Sequence, residues 1–157
     1  MVKINSAARF SAIESQVILT QTDTTVGFSS QNEKRLKEIK SRPQTKPFIK
    51  LYQDFKTLKA DGFRVPNSQK KRVRRAKKTT FIVKGNSFRV AATQLNSSLL
   101  RALTWNYSSS ANESGKNYER SFCEEKADII VENKNSLFEG RASTLLKISS
   151  KKTKRLR

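Results

Sequence analysis

"TTFIVKGNSFRVA", residues 79–91, is the stretch that decides the fold. Two apolar segments, 79–84 and 87–91, flank the pair Gly85-Asn86. Glycine and asparagine supply the positive φ angles that a two-residue hairpin turn needs at both of its residues. The stretch therefore predicts two antiparallel strands, and with them a β-sheet.

On both sides of this hairpin, apolar segments of strand length alternate with helical patterns. Strands are predicted at 16–20, 24–28, 47–52, 104–108, 128–132 and 143–148, and helices at 30–40, 54–60, 65–78, 93–103 and 118–127. Ser30 and Glu33 form a capping box that is predicted to begin the first helix. Mixed elements of these lengths predict an α/β (α+β) fold, in which an open, twisted, mixed sheet is flanked by helices. We expect a single domain over residues 1–157, with a basic C-terminal tail at 151–157.

The composition excludes several classes of protein. Cys123 is the only cysteine, which indicates a reducing compartment, and the absence of histidine excludes Ser-His-Asp triads, Cys-His pairs and zinc sites that contain histidine. No segment approaches the roughly 20 apolar residues of a membrane span, and the N-terminus lacks the apolar segment of a secretory signal. We expect a cytoplasmic protein without membrane contact.

The strongest global feature is charge: 33 lysines and arginines against 13 acidic residues give a net charge of +20. Such a surface attracts polyanions. The densest run is "KKRVRRAKK" (70–78), and its candidate RNA-binding residues are Lys70, Lys71, Arg72, Arg74, Arg75, Lys77 and Lys78. No aromatic residue interrupts the run, which argues against sequence-specific reading of single strands and leaves double-stranded RNA or tRNA as partners. A solvated helix face is the alternative interpretation.

The stretch "SSSANESG" (108–115) follows a predicted strand and precedes a predicted helix. Residues two apart in an extended segment project to the same side, so Ser110 and Asn112 would face one way. Both side chains donate and accept hydrogen bonds, and Gly115 permits close approach of a ligand to the backbone. The loop therefore suits an anionic or polar ligand, although these are also ordinary turn residues.

A second stretch, "EIKSRPQTKPFI" (38–49), places cations where a helix passes into an extended segment. Lys40 and Arg42 can point the same way, with Lys46 slightly further along. Three converging cations repel one another unless an anion is bound, and a triphosphate is the natural candidate. A solvated basic corner is the alternative.

Together with "TQTDTTVGF" (20–28), these two stretches resemble the signature of the YrdC/YciO-like family of threonylcarbamoyl-AMP synthases. The family's TxTxxG segment, its KxR motif followed by KP, and its SANxSG loop are matched in order by Thr22-Asp23-Thr24 with Gly27, Lys40-Ser41-Arg42 with Lys46-Pro47, and Ser110-Ala111-Asn112 with Ser114-Gly115. "FRVA" (88–91), "ASTLLKI" (142–148) and the closing "RLR" resemble further segments of the family.

The resemblance implies an open α/β sheet with a concave, basic cavity. It also implies a nucleotidyltransferase that forms threonylcarbamoyl-adenylate and pyrophosphate from L-threonine, bicarbonate and ATP with Mg²⁺. The product would serve tRNA modification through downstream threonylcarbamoyl transferase proteins. Lys40 and Arg42 would be catalytic by clamping the triphosphate. The implied ATP-binding residues are Lys40, Arg42, Lys46, Asn112 and Arg157, the implied threonine-binding residues are Thr24, Ser110 and Ser143, and no protein residue is implied as a metal ligand.

The sequence also departs from the family pattern. The proline and tyrosine of the family's PTDTVYGL segment are absent from 21–28, and its WPGPLT turn is replaced at 75–80. A second hypothesis therefore stands beside the enzyme: a non-catalytic paralogue that binds RNA.

Overall fold

The protein is described by a computed structural model that covers residues 2–4, 13–40, 47–91, 97–132 and 134–157. The strands are β1 (Val2–Ile4), β2 (Ile18–Gln21), β3 (Val26–Ser30), β4 (Ile49–Tyr52), β5 (Thr79–Val83), β6 (Asn86–Val90), β7 (Trp105–Ser110), β8 (Ile129–Val131), β9 (Thr144–Ile148) and β10 (Thr153–Arg155). The α-helices are α1 (Glu33–Lys40), α2 (Phe55–Ala60), α3 (Lys70–Arg75), α4 (Ser97–Leu103) and α5 (Arg120–Lys126), with short 3-10 turns at Ile13–Ser15 and Asn67–Gln69.

These ten strands form one sheet in the order β1-β8-β2-β3-β7-β4-β6-β5-β9-β10. Three neighbouring pairs are parallel, namely β2 with β8, β4 with β6, and β5 with β9. The remaining neighbours are antiparallel. The predicted α/β class with a mixed, twisted sheet is confirmed.

The hairpin that predicted the sheet is formed by β5 and β6, but its turn lies one residue earlier than expected. Val83 pairs with Asn86, so Lys84 and Gly85 are the two turn residues. Their φ angles are 49° and 84°, the positive values that this tight turn requires. Asn86 instead begins β6.

The start of the first helix also differs from the prediction. The Oδ1 atom of Asn32 accepts a hydrogen bond from the backbone N–H of Arg35 at 3.1 Å, so Asn32 caps α1. Ser30 belongs to β3. The capping box predicted at Ser30 and Glu33 is therefore wrong. A reciprocal capping box does begin α2, between Asp54 and Thr57.

Two apolar clusters stabilise the two ends of the sheet. The first includes Leu36 of α1 and Cys123 of α5 packed with Leu19 and Phe28. The second lies beneath α2 and α3 and includes Leu58, Val73, Phe81, Phe88 and Ile148. A third, smaller cluster joins Leu100 of α4 to Leu51 and Ala91.

The predicted C-terminal tail contains an edge strand. Residues 153–155 form β10, which pairs antiparallel with β9. No helix within the described ranges is long and apolar enough to cross a membrane.

Candidate functional site

A cavity of about 250 Å³ opens near the ends of β3, β6, β7 and β9. Four predicted site residues that are far apart in sequence line this cavity together: Thr24, Ser110, Ser143 and Arg157. The rest of the wall is formed by Thr22, Thr25, Gly27, Phe48, Ile49, Arg89, Ser108, Ser109 and Ala142. The cavity thus combines many hydroxyl groups with two guanidinium groups, a lining suited to a small polar anion.

Arg89 of β6 is the buried cation of the cavity. Its Nη1 lies 3.0 Å from the Oδ1 atom of Asp23, and both side chains are at most 5% exposed. The same Nη1 donates a hydrogen bond to the hydroxyl of Thr24 at 3.0 Å. Among the described residues, Arg89 Nε has no hydrogen-bond partner. The guanidinium is therefore fixed by Asp23 and Thr24 without using all of its donors.

The electrostatics of Arg89 are balanced by its neighbours. Burial lowers the pKa of its guanidinium, the carboxylate of Asp23 opposes that change, and the positive charge of Arg157 adds to it. Arginine stays protonated in proteins even so. Arg89 and Arg157 thus bring two positive charges to one cavity with a single described carboxylate beside them, which favours entry of an anion.

Sequence analysis did not single out Arg89 or Asp23 as candidate site residues. "FRVA" was interpreted only as a strand that resembles a family segment. The available clue was the arginine itself, because a charged side chain in an otherwise apolar strand is rarely buried unless it is paired.

Ser143 lines the cavity and contacts both β5 and the C-terminal Arg157. Its hydroxyl lies 2.9 Å from the hydroxyl of Thr80 on β5. Arg157 donates from Nε to the Ser143 carbonyl at 3.0 Å. The backbone of Arg157 is itself anchored, because its carbonyl accepts from the N–H of Leu145 at 3.0 Å. The end of the β9–β10 hairpin therefore positions both Ser143 and Arg157.

The Thr24 wall is formed by a tight turn. Thr22 Oγ1 donates to the carbonyl of Thr25 at 2.7 Å and lies 3.2 Å from the Thr24 hydroxyl. Gly140 packs over this turn so closely that a Cβ atom there would lie 2.0 Å from the Thr24 carbonyl oxygen. Only glycine fits this contact, so Gly140 fixes the position of the turn that carries Thr24.

Lys40 links α1 to the loop after β7. Its ammonium group donates to the carbonyl of Ser110 at 2.9 Å, to the Oδ1 atom of Asn112 at 2.7 Å, and to the Asn112 carbonyl. Lys40 is 5% exposed. Ser110 also donates to Asn112 Oδ1, at 2.7 Å. The structure thus brings the predicted residues Lys40, Ser110 and Asn112 together, with the lysine organising the loop.

Other predicted residues lie elsewhere. Arg42 and Lys46 fall outside the described residues, so their roles in ATP binding stay predictions, as does the catalytic role of Lys40. The candidate RNA-binding residues lie on α3 and the turn that follows it, and none of them lines the cavity. Phe88 packs beneath α3 while its neighbour Arg89 reaches the cavity, so α3 and the cavity lie on opposite faces of the sheet.

The family resemblance implies no protein residue as a metal ligand. In the described part of the chain, no group of three or more His, Cys, Asp or Glu side chains is arranged to hold a metal ion. The carboxylate at the cavity, that of Asp23, is engaged with Arg89.

Comparisons with known proteins place this geometry in context. The structure is similar to two solved structures of Sua5 from P. abyssi. One is a doubly substituted variant (TM-score 0.77, 21% identity, 96% of this chain and 54% of that chain) and the other is a complex with L-threonine (TM-score 0.76, 22% identity, 96% and 52%). It is also similar to E. coli YciO (TM-score 0.72, 19% identity, 92% and 83%). The chain spans about half the length of the Sua5 structures. No curated protein sequence gives a significant match.

The model of the Sua5/YciO/YrdC family, described as "Telomere recombination", matches residues 13–157, nearly the whole chain. The cavity, the TDT turn and the loop held by Lys40 all lie within this range. The chain belongs to the Sua5/YciO/YrdC family.

Proposed function

We propose that the protein is an L-threonylcarbamoyladenylate synthase. In this reaction the amine of threonine and bicarbonate give a carbamate and water, and a carbamate oxygen then attacks the α-phosphorus of ATP. The bond from that phosphorus to the bridging oxygen breaks, and pyrophosphate leaves. The single observation that carries the proposal is the convergence of Arg89, Thr24, Ser143 and Arg157 on one small cavity within a member of this family.

The cavity supports threonine as one substrate. Arg89 would attract the α-carboxylate, because a guanidinium fixed by Asp23 and Thr24 cannot turn away from it. The hydroxyls of Thr24 and Ser143 would bind the polar groups of the amino acid. A threonine complex of the structurally similar P. abyssi Sua5 supports the same ligand here.

The neighbouring loop supports the nucleotide. Lys40 holds the backbone of Ser110 and Asn112 and so fixes the shape of the loop. Arg42 and Lys46 follow α1 in sequence and would clamp the triphosphate, with Mg²⁺ arriving as part of the ATP complex. The protein would act mainly by positioning the carbamate in line with the leaving pyrophosphate and by neutralising charge that develops there.

The direct test is release of pyrophosphate from ATP in bicarbonate buffer, with and without L-threonine. Release that depends on threonine is expected. A protein that binds threonine and ATP, as judged by a raised melting temperature, but releases no pyrophosphate would instead be a binding paralogue.

Thr24→Val tests the contact of the Thr24 hydroxyl with threonine, because it removes the hydroxyl and keeps the shape of the side chain. Loss of one hydrogen bond of about 0.5–1.5 kcal/mol predicts about a two- to tenfold weaker affinity for threonine, with ATP affinity unchanged. Thr144→Val is the matched control, because Thr144 does not line the cavity. Equal weakening by both variants would contradict the assignment of Thr24.

A further inference from the structure

A second pocket, of about 420 Å³, opens between the end of α2 and the turn of the β5–β6 hairpin. We call it the hairpin pocket and define it by Lys50, Arg64 and Lys84, which line it together. Ile49 of β4 lines the cavity, whereas the next residue, Lys50, lines the hairpin pocket. Consecutive residues of a strand point to opposite faces of the sheet. The hairpin pocket is therefore separate from the proposed threonine site.

Positive charge exceeds negative charge in the hairpin pocket. Lys50, Arg64 and Lys84 bring three cations to it from β4, the segment after α2 and the hairpin turn. Among the described residues that line it, Asp61 supplies the one carboxylate. Asp61 Oδ2 already accepts hydrogen bonds from Lys50 Nζ at 2.8 Å and from the Tyr52 hydroxyl. Lys50 is thus balanced by Asp61, and the charges of Arg64 and Lys84 remain to attract an anion.

The polar side chains at the outer wall of the hairpin pocket have no competing partners. Within the described ranges, the side chains of Arg64, Lys84 and Asn86 make no hydrogen bond or ion pair. The segment 62–112 contains no acidic residue at all. A guanidinium, an ammonium group and an amide therefore offer their N–H donors to a ligand in the pocket.

The backbone that carries Arg64 is held in place by its neighbours. The N–H of Phe63 donates to the carbonyl of Leu58 at 3.3 Å, which is the closing bond of a Schellman motif at the end of α2. The ring of Phe63 packs edge-on against Tyr52 and Phe88, with centroids 5.7 and 5.1 Å apart. Groups on a fixed backbone lose less entropy when they bind a ligand.

Lys84 occupies a position that its residue type does not favour. It is the first residue of the two-residue hairpin turn and has a φ of 49°. Asparagine, aspartate or glycine adopts this conformation more readily. A residue that departs from the local preference of the backbone is expected where its side chain serves a function. Here the lysine places an ammonium group at the hairpin pocket.

We propose that the hairpin pocket binds a phosphate group, either as the free ion or at the end of a small metabolite. A phosphate monoester carries about 1.5 to 2 negative charges near neutral pH, which matches the two cations that Asp61 does not balance. Charge-assisted hydrogen bonds from a guanidinium and an ammonium group are the contacts that hold phosphate oxygens most strongly. The volume of about 420 Å³ suits a ligand of this size.

Trp105 provides a signal for binding at this pocket. It is the only tryptophan of the chain. Lys50 Nζ lies 4.0 Å from the centroid of its ring. A phosphate in the pocket would draw the ammonium group away from the ring and weaken this cation–π contact. The fluorescence of Trp105 should therefore change as the pocket fills.

The test is a titration of the full chain with inorganic phosphate at constant ionic strength, followed by Trp105 fluorescence. A saturable change is expected. Arg64→Gln with Lys84→Gln removes both unbalanced cations and should weaken the affinity at least about tenfold. Lys71→Gln with Arg75→Gln is the matched control, because it removes the same charge from exposed residues that do not line the pocket. The control should keep the wild-type affinity, and circular dichroism and melting temperature establish that both variants fold.

A parallel titration with glycerol phosphate separates the two sources of the phosphate group. Tighter binding of inorganic phosphate would support the free ion as the ligand, and tighter binding of glycerol phosphate would support a phosphorylated metabolite.

Four outcomes would overturn the proposal. The first is that neither compound gives a saturable change, and the second is that sodium chloride gives the same change. The third is an equal loss of affinity in both paired variants, which would show that net charge alone attracts the anion. The fourth is an undiminished response in Arg64→Gln with Lys84→Gln, which would place the phosphate elsewhere. All of these measurements are independent of threonylcarbamoyl-adenylate synthesis, so a protein without that activity still gives a clear answer.

Discussion

The cavity and the groove between α3 and the β9–β10 hairpin, whose wall includes Lys71, Arg72 and Arg75, place cations on opposite faces of one sheet. The two regions differ in what surrounds the charge. Arg89 at the cavity is 4% exposed and is paired with Asp23. Lys71 and Arg75 at the groove are exposed, with no acidic partner among the described residues. A buried charge must be paired because water no longer solvates it, whereas an exposed charge needs no partner. The buried Arg89 therefore contributes to folding through its pair with Asp23, whereas replacing the exposed Lys71 or Arg75 removes no ion pair recorded among the described residues.

The largest expected effect comes from breaking the buried pair. Arg89→Met leaves the Asp23 carboxylate buried without its cation, which should reduce the free energy of unfolding by about 3–5 kcal/mol. Urea unfolding measures this loss directly. Arg75→Met at the groove should change the same quantity by no more than about 0.5 kcal/mol.

A double variant separates the charge from the packing. Adding Asp23→Asn to Arg89→Met removes the buried negative charge, so the double variant should be more stable than Arg89→Met alone. If the single and double variants unfold at the same urea concentration, the lower stability of Arg89→Met comes from lost packing around the arginine side chain and not from an unpaired carboxylate.

Much of the fold followed from local patterns. The hairpin of β5 and β6 and the short helix α2 depend on residues within a few positions of one another, and both were predicted. The turn of the hairpin was misplaced by one residue because Lys84 adopts a positive φ that its residue type does not favour. The cap of α1 was misplaced because Ser30, a favourable cap by type, is needed in the buried strand β3.

Less of the site could be predicted, because its contacts join distant parts of the chain. Thr24 and Arg89 are 65 residues apart, and Lys40 lies 70 residues from Ser110. Thr24 and Ser143 were identified through a family resemblance, and Ser110 through a loop pattern that does not report its distance from either of them. Pairing of Arg89 with Asp23 depends on how β6 lies relative to the turn after β2, which only the assembled sheet defines.

The second prediction compares two lysines. Lys40→Met should reduce the free energy of unfolding by about 1.5–3 kcal/mol, because it removes a buried charged donor that bonds the Ser110 carbonyl and the Asn112 side chain. Binding of ATP should weaken as well, since the loop loses its shape. Lys71→Met is the matched control and should leave stability within about 0.5 kcal/mol of wild type.

The result for Lys40 can be contradicted in a simple way. If Lys40→Met and Lys71→Met unfold at the same temperature while only the first loses ATP, then Lys40 acts on the nucleotide directly and the loop does not need it. Hydrogen exchange of the 110–116 backbone would show whether the loop needs Lys40, because a loosened loop exchanges faster.

The smallest expected effect concerns the pH dependence of stability that the ion pair of Glu132 with Arg120 contributes. Glu132 accepts hydrogen bonds from Arg120 at 2.9 Å and from the Ser136 hydroxyl at 2.6 Å. The bond from Arg120 and then that from Ser136 lower the pKa of Glu132 from 4.5 to about 2. A carboxylate whose pKa is lower in the folded state stabilises the fold above its unfolded pKa, and this contribution disappears as the pH falls toward the folded value.

Glu132→Gln should therefore be less stable than wild type near neutral pH by less than about 1 kcal/mol, since solvent screens the pair, and the difference should vanish near pH 2. Urea unfolding at several pH values between these limits measures the difference, and Glu125→Gln, at a side chain that is 72% exposed, serves as the control. A difference for Glu132→Gln that stays constant with pH would mean that the pair with Arg120 does not stabilise the charged carboxylate. Any loss of stability in acid would then come from other acidic residues.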